Sequence, residues 1–282
     1  MSITSPGILF VVSIVAGFIG AMSGMGGGIV LIPALTLFGV GIKHAIAISI
    51  VSVIATSSGA ASAYVRDGVT NLKVGMFLEM FTILGAIVGA TVTLASSDQP
   101  LFIAFGAVLL LSWGTLFVRK LKHADYLKPA DPVTRWLELR GGYFDHAENQ
   151  QIDYEGQRGW LGGPCMFGAG FIAGLLGIGA GALKVLILDL AMGLPPKVST
   201  TTSNLIIGVT ALAGTSIYIA AGYVDPGLAA PVIIGVVAGA FIGTRLLKRL
   251  SNQSIRQFFL VVLLLLGLEM ILRGFGVFGH GV

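Results

Sequence analysis

The sequence predicts an all-α polytopic membrane protein. It would hold two inverted repeats of about five helical segments each, with glycine-broken or re-entrant helices and a small cytoplasmic loop holding a β-hairpin. Three observations carry this. Hydrophobic residues make up 55% of the 282 positions and charged ones only 11%, with a mean hydropathy of +0.92, whereas soluble proteins are roughly 25% charged. The 41 glycines suit helices whose backbones approach closely within a bilayer. Finally, GFIGAMSGMGGGIVLIPALTLFGVGIKHAIAISIVSV at Gly17–Val53 recurs at Gly170–Ile206 as GFIAGLLGIGAGALKVLILDLAMGLPPKVSTTTSNLI.

Taken in order, the first half has apolar runs at Ile8–Met22, Ile29–Val40, His44–Val65, Leu72–Ala95 and Leu101–Val118. The start MSITSPGILF lacks the basic region of a secretory signal, so it reads as an uncleaved first helix opened by Ser5-Pro6. The second half has runs at Trp160–Ile178, Ala182–Met192, Val198–Ala221, Gly227–Leu247 and Ile255–Leu272. A straight span needs about 20 apolar residues, so Ile29–Val40 and Ala182–Met192 are partial helices. Each follows a glycine knot, Ser23–Gly28 or Gly177–Gly181, and is expected to form a hairpin or re-entrant pair with the run before it. Non-helical backbone at membrane depth is tolerated only where protein buries it or a wet cavity meets it.

The repeat aligns with a shift of 153 residues through the knots, placing Gly24 on Gly177, Gly26 on Gly179 and Gly28 on Gly181. One inserted residue then makes the shift 154, so that Ser49 meets Ser203, Tyr64 meets Tyr218 and Gly68 meets Gly222. The chain therefore divides into a first repeat (1–118), a polar inter-repeat loop (119–159) and a second repeat (160–282).

Positive charge orients membrane helices. Arg119, Lys120 and Lys122 put the loop in the cytoplasm, and hairpin knots place Arg66, Lys73, Lys197, Arg245, Lys248, Arg249 and Arg256 on that side too. The localisation expected is multi-pass in the cell membrane. Fourteen charged residues, seven of each sign, fall between Arg119 and Arg158, so the formal net charge of +4 does not describe a nucleic-acid-binding surface. Trp136–Arg140 and Gln151–Glu155 alternate apolar and polar residues around Ala147-Glu148-Asn149, which predicts a small hairpin in this loop.

With these pieces in view, the sequence resembles the sulfite exporter TauE/SafE family of membrane anion transporters. The resemblance rests on GMGGGIVLIPAL at Gly24–Leu35, KHAIAISIV at Lys43–Val51, their second copies GIGAGALKVLIL and PPKVSTTTSN, and the helix pieces at Leu84–Ala90 and Ala238–Thr244. It spans both membrane halves but not Lys120–Arg158. It implies movement of a small sulfur-containing or organic anion, such as sulfite or sulfoacetate, across the cell membrane.

The residues themselves lead to a compatible expectation. An anion at the midplane needs donors, and helix N-termini reached through glycine offer backbone N–H groups with partial positive charge. Gly24, Gly26, Gly27 and Gly28 lead into one short helix; Gly177, Gly179 and Gly181 lead into the other. These glycines serve either an anion cradle or close helix packing. Ser199–Asn204 sets six hydrogen-bonding side chains in a row, of which Thr201, Thr202, Ser203 and Asn204 are the substrate-binding candidates, with Ser49 and Ser52 in the first repeat. Ionisable groups inside apolar runs are costly unless paired or wetted. Lys184, one turn into the second short helix, would meet the anion or form an ion pair with Asp189 or Glu79; Leu31 holds its place in the first repeat. Glu79 or Asp189 would carry a coupled proton, with sodium the other coupling ion. Glu269, four residues before Arg273, reads as a helix-end pair.

No cofactor or metal is expected: Cys165 stands alone and His44, His123, His146 and His280 are scattered. An intramembrane serine protease using Ser23-Gly24 would need a histidine deep in an apolar helix, and none is there, so the reading is a non-enzymatic transporter with a passive anion channel as the alternative. Small-residue faces such as Gly85–Gly89 would pack within one chain or between the halves of a homodimer.

Overall fold

The computed structural model describes residues 6–23, 27–118, 131–145, 149–247 and 252–276. Gly24 and Gly26, and the basic residues Arg119, Lys120, Lys122, Lys248 and Arg249, lie outside them. In the first half, α1 (Pro6–Ser23) opens at a proline, and α2 (Gly28–Leu37) contains Pro33. The longer α3 (Ile42–Arg66), α4 (Leu72–Ala95) and α5 (Asp98–Val118) follow. In the second half, α7 (Gly159–Leu176) ends at Gly177, which takes a left-handed φ of 65° that glycine adopts without strain. Next comes α8 (Gly181–Leu186), which runs straight into a π-helical turn at Ile187–Ala191. Then come α9 (Pro196–Ala220), α10 (Pro226–Leu247) and α11 (Asn252–Gly274).

Among the described residues, α3, α4, α7 and α9 are long and apolar enough to cross a membrane, and shorter apolar helices lie at Gly7–Ile19, Gly28–Leu37, Asp98–Gly114 and Pro226–Ile242. The chain is an all-α, multi-pass membrane protein.

Glycine decides how these helices pack. A Cβ on Gly85 would lie 2.1 Å from the Phe167 carbonyl oxygen, and one on Gly170 would lie 2.3 Å from that of Thr82, so α4 and α7 touch backbone to backbone. The same contact recurs between α1 and α10: a Cβ on Gly239 would lie 2.0 Å from the Ile14 carbonyl oxygen and one on Gly17 2.1 Å from that of Val236. These pairs are related by the repeat shifts of 153 and 154. Each half thus lends a helix to the other, α4 packing on α7 and α10 on α1, while the equivalent helices pair directly, α3 with α9 and α5 with α11. The main apolar core lies among α1, α2, α3, α5, α9, α10 and α11.

The inter-repeat segment is built partly as expected. Strands β1 (Arg140–Asp145) and β2 (Gln150–Glu155) pair antiparallel, Arg140 opposite Glu155. The first strand, however, starts at Arg140 rather than running from Trp136. Pro132 at the first position of a helix pre-sets its φ and launches a short α6 (Pro132–Trp136). The chain then turns at Glu138, whose φ is 48°, and the Leu139 N–H returns to the Thr134 carbonyl over 3.0 Å. A helix end rather than a strand therefore accounts for the apolar–polar pattern there.

This segment docks on one end of the bundle. Leu139, Tyr143 and Tyr154 bury themselves in a second core with Val74 and Leu78 of α4, Met166 of α7, Leu188 and Met192 around the π-turn, and Val198 and Ile206 of α9. The Gln157 N–H donates to the Met192 carbonyl over 2.8 Å. Asp131 accepts from the Gly159 N–H at 2.9 Å, tying α6 to the first turn of α7.

Candidate functional site

Helices α4 and α9 run side by side and parallel, and their contacts climb in step. At the end that carries the hairpin, the Asn71 N–H donates to the Thr202 hydroxyl over 3.1 Å. One turn further, Gly75 leaves room for Leu205 and Thr202. Another turn on, Glu79 meets Thr210. Asn71 also caps α4, its Oδ1 accepting from the Val74 N–H at 3.0 Å, which satisfies a helix-end donor that water cannot reach.

At the third level lies a buried polar chain. The Lys184 ammonium, 0% exposed, donates to Thr210 Oγ1 over 3.0 Å, and Thr210 Oγ1 donates to Glu79 Oε1 over 3.0 Å. The Thr210 hydroxyl also lies within reach of the Ile206 carbonyl on its own helix. Thr82 approaches Glu79 Oε1 at 3.4 Å. Glu79 is 9% exposed, and its Oε2 is buried with no partner. A cation and a carboxylate share one hydroxyl, drawn from three elements: α8, α9 and α4. Buried charges persist only when paired or hydrogen-bonded, and Thr210 provides the link.

The place related to it by the repeat has no such chain. The positions matching Lys184, Thr210 and Glu79 hold Leu31, Thr56 and Ile233, and the Thr56 hydroxyl turns to the Ser52 and Val53 carbonyls of its own helix.

The other expected residues fall in several places. Ser49, buried, donates to the Gly177 carbonyl over 3.0 Å, and a Cβ on Gly28 would meet both Ser49 Oγ and that carbonyl. The second knot therefore packs directly against the start of α2. Gly179 faces Ile207 and Val53, Gly27 faces Val236, and Gly181 is buried at the start of α8. Ser52 donates to the Ser49 carbonyl at 2.7 Å, and Asn204 to the Thr200 carbonyl at 3.1 Å, both within their own helices. Thr201 joins α9 to the Val69 carbonyl over 3.3 Å. Ser203, 1% exposed, has an Oγ with no partner. Asp189 sits half-buried in the π-turn, a turn and a half beyond Lys184. At the far end of the bundle, Lys43 donates to the Leu94 carbonyl over 3.0 Å and His44 stacks edge-on against Tyr223. Glu269 pairs with Arg273 at the end of α11.

Thr210, Thr82 and Asn71 were not among the residues singled out by sequence. For Thr210 a signal exists: Ser199, Ser203, Ile206 and Thr210 follow i, i+4, i+7, i+11 spacing, one face of a helix. On the opposite face, Leu205, Gly208 and Leu212 line a cleft of about 370 Å³ with Ile54, Ser58 and Ser62 of α3. Among the described residues no group of histidine, cysteine and carboxylates has the arrangement of a metal site.

Comparison with known proteins matches residues 9–270 to the family model "Sulfite exporter TauE/SafE". Among curated relatives, "Probable membrane transporter protein YunE" of Bacillus subtilis is 27% identical over 95% of this chain and 97% of its own. "Probable membrane transporter protein YfcA" of Escherichia coli is 26% identical, covering 91% of this chain and 86% of its own. A Haemophilus influenzae "Probable membrane transporter protein" is 26% identical over 94% of this chain and 93% of its own. No solved structure matches the chain.

Proposed function

The chain belongs to the sulfite exporter TauE/SafE family, and from that premise we propose that it is a secondary transporter moving a small anion, a sulfur oxyanion, an organosulfonate or a related carboxylate, by alternating access across the cell membrane. The observation that carries the reading is Lys184: a fully buried cation on a short helix beside a glycine knot, held by a hydroxyl rather than by direct contact with a carboxylate. An anion in apolar surroundings costs several kcal/mol unless donors surround it. An ammonium has three donors, and Thr210 takes one. The backbone at Gly27, Gly28 and Gly177–Gly181 completes the donor set in this reading, and Ser203, whose buried oxygen has no protein partner, meets the anion two turns nearer the hairpin end. Ser49, Ser52, Thr201, Thr202 and Asn204 hold the helices that shape it. The hairpin end of the bundle faces the cytoplasm, in line with Arg66, Lys73 and Lys197 at that end and the distribution of positive charge in membrane proteins.

The test is uptake of radiolabelled sulfite, thiosulfate, sulfate, sulfoacetate, sulfolactate and acetate into proteoliposomes, with wild type and Lys184→Ala. Saturable uptake with counterflow, lost in the variant, is the expected result. Flux that never saturates would identify a passive anion channel, and no flux of any anion in folded protein would refute the assignment.

A further inference from the structure

We propose that the Lys184–Thr210–Glu79 chain exchanges charge for charge, so that one proton travels with each cargo anion and the site accepts the cargo as a monoanion; this rests on the transporter reading above. The argument is one of charge balance in a buried place. Empty, the chain holds one ammonium and one carboxylate joined through a hydroxyl, and its net charge is zero. A monoanion arriving at Lys184 would leave a net negative charge among apolar helices, a state that burial penalises heavily. A proton on Glu79 restores neutrality.

The geometry has a place for that proton and a way to register it. Glu79 Oε2 is buried and has no partner, while Oε1 is the atom held by Thr210. The Thr210 hydroxyl owns one hydrogen and two acceptors within reach, Glu79 Oε1 and the Ile206 carbonyl. With Glu79 ionised, the hydrogen points to the carboxylate. Once Oε2 takes a proton from the water that enters with the anion, the hydrogen turns to Ile206, and Lys184 is freed from its carboxylate for the cargo. Release on the other side reverses both moves: the proton returns to water there and the hydroxyl turns back. The covalent changes are the O–H bond made and broken at Oε2 and, matching it, the O–H bond of a hydronium ion broken in the entering water and re-formed in the water on the other side.

Other ionisable groups on the elements around α4 do not replace Lys184 in this balance. Cys165 lies on α7, Lys197 and Tyr218 on α9, and Asp189 on the π-turn; the hairpin brings Tyr143, Tyr154 and Glu138. Tyr218 gives its hydrogen to the Gly174 carbonyl and Glu138 pairs with Lys73 at the surface. Lys184 is the charge joined to Glu79, through the Thr210 hydroxyl. Because Leu31, Thr56 and Ile233 occupy the matching places, the chain has one such site and not two.

The experiment uses the full-length protein in proteoliposomes with radiolabelled sulfite and acetate, an internal pH dye, and potentials clamped with potassium and valinomycin. Wild type is expected to take up one proton per monoanion, to respond to a pH gradient and to ignore the imposed potential; sulfate, a permanent dianion, should move at background. Glu79→Gln and Thr210→Val should lose acid-driven uptake, and Thr210→Ser, which keeps the hydroxyl, should retain the coupling; monodispersity in detergent establishes that each variant is folded. Anion flux driven by potential or sodium without proton movement would overturn the proposal while leaving the transporter reading intact. One-to-one coupling that survives in Glu79→Gln would overturn its assignment to this chain. Absence of all anion flux would defeat both readings.

Discussion

The Asn71 side-chain amide donates to the Tyr154 hydroxyl over 3.1 Å, joining the polar hairpin to the residue that both caps α4 and grips Thr202 of α9. Removing the two partners should therefore have unequal effects. Asn71→Ala loses a helix cap, typically about 1 kcal/mol, together with the side-chain contact to the hairpin, while its backbone N–H still donates to Thr202. Tyr154→Phe loses one hydrogen bond, about 0.5–1.5 kcal/mol. Unfolding in mixed detergent micelles should show the larger loss for Asn71→Ala; equal losses would mean that the cap contributes nothing.

Acid should loosen the same end of the molecule. Partial burial raises the Asp131 pKa, but hydrogen bonds from the Thr134 hydroxyl and the Gly159 N–H outweigh it and hold the group below its ordinary value of 3.8. A group with a depressed folded-state pKa stabilises the fold above its unfolded pKa, and that contribution disappears as the pH falls through the lower folded value. Protection of the amides at the start of α7, taken relative to their intrinsic exchange rate at each pH, should therefore fall below about pH 4 in wild type. Asp131→Asn should show the lower protection already at neutral pH.

Lys184 and Glu79 should be more costly to lose singly than together. Lys184→Met strands a buried carboxylate, and breaking a buried charge pair costs about 3–5 kcal/mol. Adding Glu79→Gln removes the stranded charge, so the double variant should regain much of that stability while transporting nothing. Additive losses in a double-mutant cycle would show that the two residues do not act on each other.

Glycine substitutions should divide cleanly by their surroundings. Alanine at Gly85 or Gly239 would drive a methyl into the Phe167 or Ile14 carbonyl, at 2.1 and 2.0 Å, and the yield of folded protein should collapse. At Gly59 and Gly114 nothing lies within 4 Å of the added carbon, so alanine there should be accepted. Fluorescence-detected size exclusion separates these outcomes directly.

Ser49 and Ser203 occupy equivalent places in the two repeats but should respond differently. Ser49 satisfies the Gly177 carbonyl, so Ser49→Ala should cost about 1 kcal/mol. Ser203 has no protein partner. Ser203→Ala should leave thermal stability unchanged and raise the KM for the anion; a drop in stability with unchanged KM would make it a structural residue.

Much of this was legible beforehand because it depends on local rules. Long uncharged runs, proline and glycine breaks and a duplicated motif located the helices, the second knot and the residue pairs that the repeat superposes. Lys184 and Glu79 stood out because charge inside an apolar run is expensive wherever the run ends up. What the sequence could not reveal was which helix of one repeat would lie against which helix of the other. Thr210, one hydroxyl among many in α9, gains its role only when α4 is laid beside it. Asn71, in a turn between helices, gains its role only when the hairpin folds back over it. The misplaced start of the first strand has a more local cause, since Asp131-Pro132 begins a helical turn that an alternation pattern does not register.

The crossed pairing of α1 with α10 and α4 with α7 has a consequence for how such a chain is made. The glycine face at Gly17 emerges from the ribosome long before Val236 does, a delay of about 10 to 40 s at ordinary synthesis rates. Throughout that time the early helices sit in the bilayer with their tightest docking surfaces covered only by lipid. The first five segments are thus an unfinished half whose partners have yet to be translated. The same crossing bears on ancestry: a single-repeat forebear would have needed a second copy of itself, inserted upside down, to cover those surfaces. Joined in one chain, the two copies meet as a closing step of a single assembly rather than as an encounter between separate molecules.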